Sequence, residues 1–350
     1  MKIVEELDMK KVFDNTRVLC DGMKGQNYWF NGCMEYLMEC LGESKDYNYW
    51  FFSDVTGDSL TQLYSKNINE MALCFSRNAF NNTLAKSAFD ACGYEVEYIS
   101  NIAEEDRNLY ISKIKSYIDK GIPVIAHGGF GVWDSYGENG WEWYCICGYD
   151  NDELYYLTCD KSEPKNLPTA FTDLILVGDK KETPTLADVY KKTVMDIPSY
   201  ILRPSTSEYS FGKQAFIDWA ESFQNNTFTN IPAEDINTWN VHGTYLCMAG
   251  TNGCAFNCLE NALKLNPEMT FINELFPLYK KHSEVFHILA YRDANNQNDY
   301  QNGGIHGGFN IKPETIKSKK LMEPINRQIM KSAKICDEII AIFEKHNLVV

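Results

Sequence analysis

No two of the 12 cysteines in this 350-residue chain have CxxC spacing, and they form no repeated framework of the kind small secreted domains use. Scattered through a chain this long, they read as reduced thiols. Most are expected in cores, because free cysteine is among the most buried residue types. The opening stretch MKIVEELDMKKVFDN interleaves charges with short apolar runs and lacks the roughly 7–15-residue apolar core of a signal peptide. No run approaches the ~20 apolar residues of a membrane span. These absences give the expectation of a cytoplasmic protein with no membrane partner. Basic residues are also in deficit: 33 Lys and Arg against 48 Asp and Glu leave a net charge of −15. That balance disfavours long-range attraction to phosphate backbones and anionic surfaces, so no nucleic acid is expected as partner. Low-complexity stretches, internal repeats and long like-charge blocks are missing as well, which excludes a disordered chain.

What is present is enough apolar material for real cores, 44% hydrophobic and 13% aromatic residues. The length suits about two domains of roughly 100–200 residues each. Asn31 followed by GCMEYLMECLG reads as a helix with Asn31 as N-cap, apolar positions at Met34, Leu37, Met38 and Leu41, and Gly42 as the stop. The segment YNYWFFSDVTGDSLTQLY is aromatic and turn-rich around Thr56-Gly57-Asp58, and NAFNNTLAKSAFDACGY ends as a helix at Gly93. A strand (EVEYI), a helix (NLYISKIKSYIDKG) and a strand (IPVIAHG) follow in βαβ-like order. Beyond a glycine-rich loop, WEWYCICGYD and LYYLTCD flank an Asn151-Asp152 turn and predict an antiparallel hairpin. SYILRP reads as one more strand. After about residue 207 helical periodicity dominates, in FGKQAFIDWAESF, GCAFNCLENALKL, FINELFPLYKKHSEVFHILAYR and a long helix at 325–346 with Ile329, Ala333, Cys336, Ile339, Ile340 and Phe343 on one side. That stripe reads as core.

This order of elements, a helix carrying a cysteine near its start, an α/β middle, GIPVI, a glycine-rich loop, a strand ending GYD, a hairpin turn and a strand ending in Asp160, resembles the papain-like cysteine peptidase superfamily. The likeness covers about residues 15–205. It points to the bacteriocin-processing-peptidase branch and to the N-terminal domain of the butirosin-type acyltransferases, bacterial proteins of secondary metabolism in which a helical second half accompanies the catalytic domain. The helix Gly212-x-x-Ala215-x-x-x-Trp219 looks similar to part of that second half. The expectation is therefore an α+β fold, a papain-like helix and antiparallel-rich sheet over 1–206 followed by a mainly helical part over 207–350.

Such an enzyme needs a thiolate at a helix N-terminus, a histidine base and a side chain that orients the histidine. Cys33, just after Asn31, is the candidate nucleophile, and Gln26 upstream the candidate oxyanion-hole donor, as the superfamily's glutamine is. The competing reading of Cys33 is a core-facing helix cysteine, and Tyr28 or Trp29 aligns equally with the superfamily's nucleophile. Asp160 sits where the resemblance places the orienting residue, or is an ordinary strand-end aspartate. The base is where the pattern breaks: the position six residues before the glycine of GYD is Glu142, and an ionised carboxylate would raise rather than lower the pKa of a nearby thiol. His127, on the preceding strand, is the substitute base, or else a structural histidine.

Weaker candidates are His242, in the loop WNVHGTYLCMAGTNG, and the pairs Cys145/Cys147 and Cys254/Cys258, which share a strand face and a helix face but lack a histidine at matching spacing, so no metal is expected. The glycine-rich segments GGFGVWDSYG and NGGIHGGF lack the Lys-Ser/Thr of a phosphate loop and the strand–helix placement of a dinucleotide fingerprint, so no cofactor is expected. Two functions follow. One is a pseudoenzyme-like or atypical papain-fold protein binding a small acyl or peptide-like ligand in the interdomain cleft, with Tyr28, Trp29, Glu142, Trp143 and His242 as contacts. The other is a cysteine-dependent acyltransferase or amidase using an acyl-Cys33 intermediate with His127, Asp160 and Gln26. The expected partner is a small-molecule or carrier-bound acyl substrate. Nothing in the sequence sets an oligomeric state.

Overall fold

A computed structural model of the chain describes residues 10–21, 24, 26, 28–66, 83–130, 140–159, 165–167, 171–225, 254–291 and 318–348. Its elements place the protein in the α+β class. It divides into two compact units, Met1–Ser53 with Asn82–Pro184, and Asp54–Asn81 with Thr185–Val350. This division and the expected one at 206/207 do not coincide, since 54–65 and 185–206 group with the second unit.

In the first unit all strand pairs are antiparallel. Strands β3 (Tyr94–Ile99), β8 (Phe171–Lys180), β4 (Val124–Phe130), β5 (Gly140–Asp150), β6 (Glu153–Leu157) and β7 (Lys165–Leu167) lie in that order, and β1 (Lys10–Val12) pairs with β5. The expected β5–β6 hairpin is present, and Asn151 takes the left-handed conformation (φ +50°) its turn requires. The βαβ-like run from β3 through α4 (Arg107–Asp119) to β4 is also present, but β3 and β4 are not neighbours. Strand β8 inserts between them. It is a run buried on both faces from Leu174 to Val177, without the period-2 alternation that marks a half-exposed strand.

Helix α1 (Trp29–Cys40) packs on the sheet face that carries Trp143 and Cys145, while the alternate residue Tyr144 points the other way, 5.3 Å from the ring of Tyr156 and toward Arg107 of α4. The helix starts earlier than expected. Tyr28, not Asn31, is the N-cap, in extended conformation, and its backbone N–H donates to Tyr49 Oη at 2.9 Å. Asn31 is fully buried inside the first turn, so a tertiary contact sets the boundary in place of the side chain with the best capping chemistry. Gly42, at φ +74°, ends the helix as expected. A clip on the same unit joins Glu43 to both Tyr94 and Lys180. Burial works against the Glu43 charge, and the two donors outweigh it and hold the carboxyl below its ordinary range. Helix α3 (Thr83–Cys92) stops at Gly93, as expected.

The second unit is mainly helical. A two-stranded sheet, β2 (Leu63–Ser65) with β9 (Tyr209–Phe211), leads into α7 (Gly212–Gln224). SYILRP is not a strand. Ile197–Ile201 forms the short helix α6, opened by Pro198 in its first turn, with Ile197, Pro198 and Ile201 buried; the apolar run is too short for its period to separate strand from helix. Helices α5 (Leu186–Met195), α8 (Cys254–Leu265), α9 (Ile272–Tyr291) and α10 (Lys319–Lys345) follow. Helix α10 starts six residues before the expected 325, capped by Ser318 Oγ accepting the Leu321 N–H, and carries Pro324 within it. Its expected apolar stripe is buried against α7 and α9.

An aspartate and a histidine are wholly buried in this unit. Asp54, near the end of α2 (Tyr49–Val55), accepts from Ser59 Oγ at 2.8 Å and Asn257 Nδ2 at 3.3 Å. Desolvation nonetheless holds its carboxyl well above the ordinary range. His282 of α9 is pushed down to about 3 by burial alone. Among the described residues no helix is long and apolar enough to cross a membrane.

Two outcomes are expected. A Cβ on Gly32 would meet Leu19 O at 2.2 Å and Cys20 Sγ at 2.7 Å, so Gly32→Ala should cost about 1–3 kcal/mol in urea unfolding. A buried carboxyl with a raised pKa contributes stability below the unfolded value of about 4 that is lost as pH rises through the folded value. The stability difference between Asp54→Asn and wild type should therefore move in the variant's favour as pH rises above about 4.

Candidate functional site

Three of the residues singled out in the first unit, Tyr28, His127 and Trp143, gather where the start of α1 meets the sheet. Tyr28 caps α1 and lies 6.0 Å, ring to ring, from Phe30. Trp29 is the first helical residue and is buried. Phe30 stands edge-on to Trp143 of β5 at 5.5 Å. Trp143 pairs across the strands with His127 of β4, and their rings are 4.9 Å apart. Tyr98, near the end of β3, approaches the same indole at 6.4 Å. Four elements thus meet around one tryptophan that is 1% exposed, a packing arrangement worth well beyond its area because each aromatic pair adds about 0.5–1.5 kcal/mol.

His127 has an acidic neighbour that the sequence reading missed. Asp173 lies opposite it on β8, with Oδ2 3.5 Å from His127 Nδ1, and its Oδ1 accepts the Asn101 N–H at 2.8 Å. Both side chains are essentially inaccessible. The signal was an aspartate inside the apolar run FTDLILV, since a carboxylate inside a buried strand needs a partner. Strand β8 itself was not recognised, so the signal had no context.

Cys33 does not sit at the tip of α1. It is the fifth helical residue, wholly buried, and its carbonyl oxygen accepts from Cys145 Sγ at 3.7 Å. The positive end of the helix dipole belongs to the first turn, which here carries Trp29, Phe30, Asn31 and Gly32. Cys20 lies beside this turn, with Sγ 3.8 Å from Tyr28 O, because Gly32 leaves room for the 19–20 segment. Cys40, Cys92 and Cys147 are held above their ordinary range, chiefly by burial. Gln26 is engaged locally: its Oε1 accepts the Asp21 N–H at 2.7 Å and its own N–H donates to Asp21 O at 3.2 Å.

The backbone of Glu142 pairs with Gly128, and its side chain lies outside the described residues, as do Asp160 and His242. The structure therefore brings together Trp143 and His127, links Tyr28 to them through Phe30, adds Asp173, and leaves Trp29 buried in the first helical turn and Cys33 inside the core. Among the described residues no group of three or more His, Cys, Asp or Glu is placed to hold a metal ion. No protein-family model matches the chain, and no curated protein matches it.

Trp143→Ala is expected to cost about 3–5 kcal/mol in chemical denaturation, since the site cannot collapse around so large a loss. Asp173→Asn, which keeps an acceptor for Asn101 but removes the carboxylate beside His127, should cost less than that and leave the far-UV spectrum unchanged.

Proposed function

We propose that this is a non-catalytic or catalytically atypical papain-fold protein that binds a small acyl or peptide-like ligand through the aromatic cluster of its first unit. The observation that carries this reading is the position of Cys33, closed off in the core at the fifth helical position while Tyr28 occupies the helix tip. A phenol there cannot supply the low-pKa sulfur that thiol chemistry needs, but the half-buried Tyr28 at the helix tip offers an aromatic edge that suits recognition of a mostly apolar ligand bearing amide or ester groups. The mismatch at Glu142 points the same way.

A second reading, a cysteine-dependent acyltransferase or amidase, is favoured by one observation, the approach of His127 to Asp173. A carboxylate so placed orients an imidazole as a general base requires. A thiolate would attack the acyl carbonyl, the leaving amine or carrier thiol would depart with the proton held by the imidazole, and water or an amine would then take the acyl group from sulfur.

Labelling separates the two. In the native full-length chain at pH 6, iodoacetamide should modify Cys33 no faster than the other cysteines. Rapid, selective alkylation of Cys33 would overturn the binding reading in favour of acyl transfer. Binding itself is tested by thermal unfolding with N-acyl amino-acid amides and acyl-pantetheine thioesters. A ligand at a hundred times its Kd should add about 2.7 kcal/mol, and an unchanged Tm across both series would sink the proposal.

A further inference from the structure

His282 stands apart from everything argued for the first unit. It lies wholly buried on α9 where α7 and α10 meet it. Phe216 of α7 stacks near its ring at 5.9 Å, Tyr279 of its own helix is 6.2 Å away, and Ser332 Oγ of α10 is 3.2 Å from Nδ1. Its Nε2 is buried with no hydrogen-bond partner among the described residues. The buried titratable groups on the elements around it are Tyr279, whose phenol burial pushes up and which interacts with the thiols Cys258 of α8 and Cys336 of α10, and those two thiols, also pushed up by burial. All are neutral near pH 7. The charged pairs linking these helices, Lys213 with Asp337, Lys281 with Glu338, and Glu274 of α9 with Lys345 and His346 at the end of α10, lie at the surface, and none of them contributes to the depression of the imidazole. A proton arriving on His282 finds no counter-charge and one hydroxyl for two N–H groups.

We propose that His282 is a proton-sensitive latch, whose protonation favours detachment of α10 from α7 and α9 while the rest of the second unit stays folded. Helix α10 is the element to leave because α9 is also packed on α8, and removing α10 alone opens the Ser332 side of the imidazole. The sign is set by a neutral histidine in the closed state. Its stability is fully present above the ordinary value of about 6.5 and is lost as pH falls toward about 3. Asp54, which interacts with Cys258 of α8, has the opposite sense. Unfolding of the whole unit would release the Asp54 proton as His282 gained one, and the two dependences would oppose each other below pH 6.5. A local opening that leaves Asp54 in place removes that opposition; it also parts Glu274 from Lys345 and His346, a contribution that wild type and the His282 variants share.

Hydrogen exchange on the full-length protein at pH 7, 6 and 5, corrected for intrinsic rates, reads this directly. Peptides within 325–343 should lose protection about 25-fold between pH 7 and pH 5, the ratio set by titration at 6.5 in the open and 3 in the closed state. Peptides within 254–265 should not change. In His282→Phe, and in His282→Gln should the first variant fail to fold, the loss should vanish. Constant α10 protection in wild type, equal loss in α8, or a loss that persists in the folded variant would each overturn the proposal.

Discussion

Phe30 and Cys33, three residues apart on α1, press on Trp143 and Cys145, two residues apart on β5, and the arrangement of the first unit depends on that fit. Helix spacing of three and strand spacing of two put both pairs on facing surfaces. Gly32 lies between the helix pair and lets the backbone of Leu19 pass against the helix, while the Leu19 N–H ties that passage to Thr158 O beyond β6. The same contact that anchors the helix removes Cys33 from solvent. A single constraint therefore secures the fold and takes away the thiol that the sequence offers as a nucleophile.

What the helix gives up at its sulfur it gains in an aromatic wall. Trp143 touches Phe30, Tyr98 and His127, so β3, β4, β5 and the start of α1 share one side chain. Asp173 adds a carboxylate from β8. A histidine and an aspartate on neighbouring strands inside a sheet are costly to desolvate, and such a pair is retained for specificity or for function more readily than for stability. The papain-like reading and the binding function proposed from it both rest on this corner of the sheet.

The helical unit answers to a different constraint, an aspartate and a histidine buried with opposite consequences. Asp54 is neutralised by gaining a proton and His282 by losing one. Each is tied by hydrogen bonds to a different helix, α8 through Asn257 and α10 through Ser332. Proton binding therefore separates motions of one helix from unfolding of the whole, which apolar packing alone does not do.

Much of the architecture was legible in the residues. Period-2 runs around Asn151-Asp152 specified the hairpin, glycines at 42 and 93 stopped helices, and the apolar stripe from Ile329 to Phe343 faced the core as its spacing required. Local chemistry determined those features, because a turn, a cap and a stripe act over a few residues. Where Tyr28 meets Tyr49, where β8 slots between β3 and β4, and which carboxylate stands beside His127 were decided by tertiary structure alone. Those contacts join residues 21, 43–86 and 46 positions apart, and long-range pairing is set by the packing of whole faces, which no local pattern encodes.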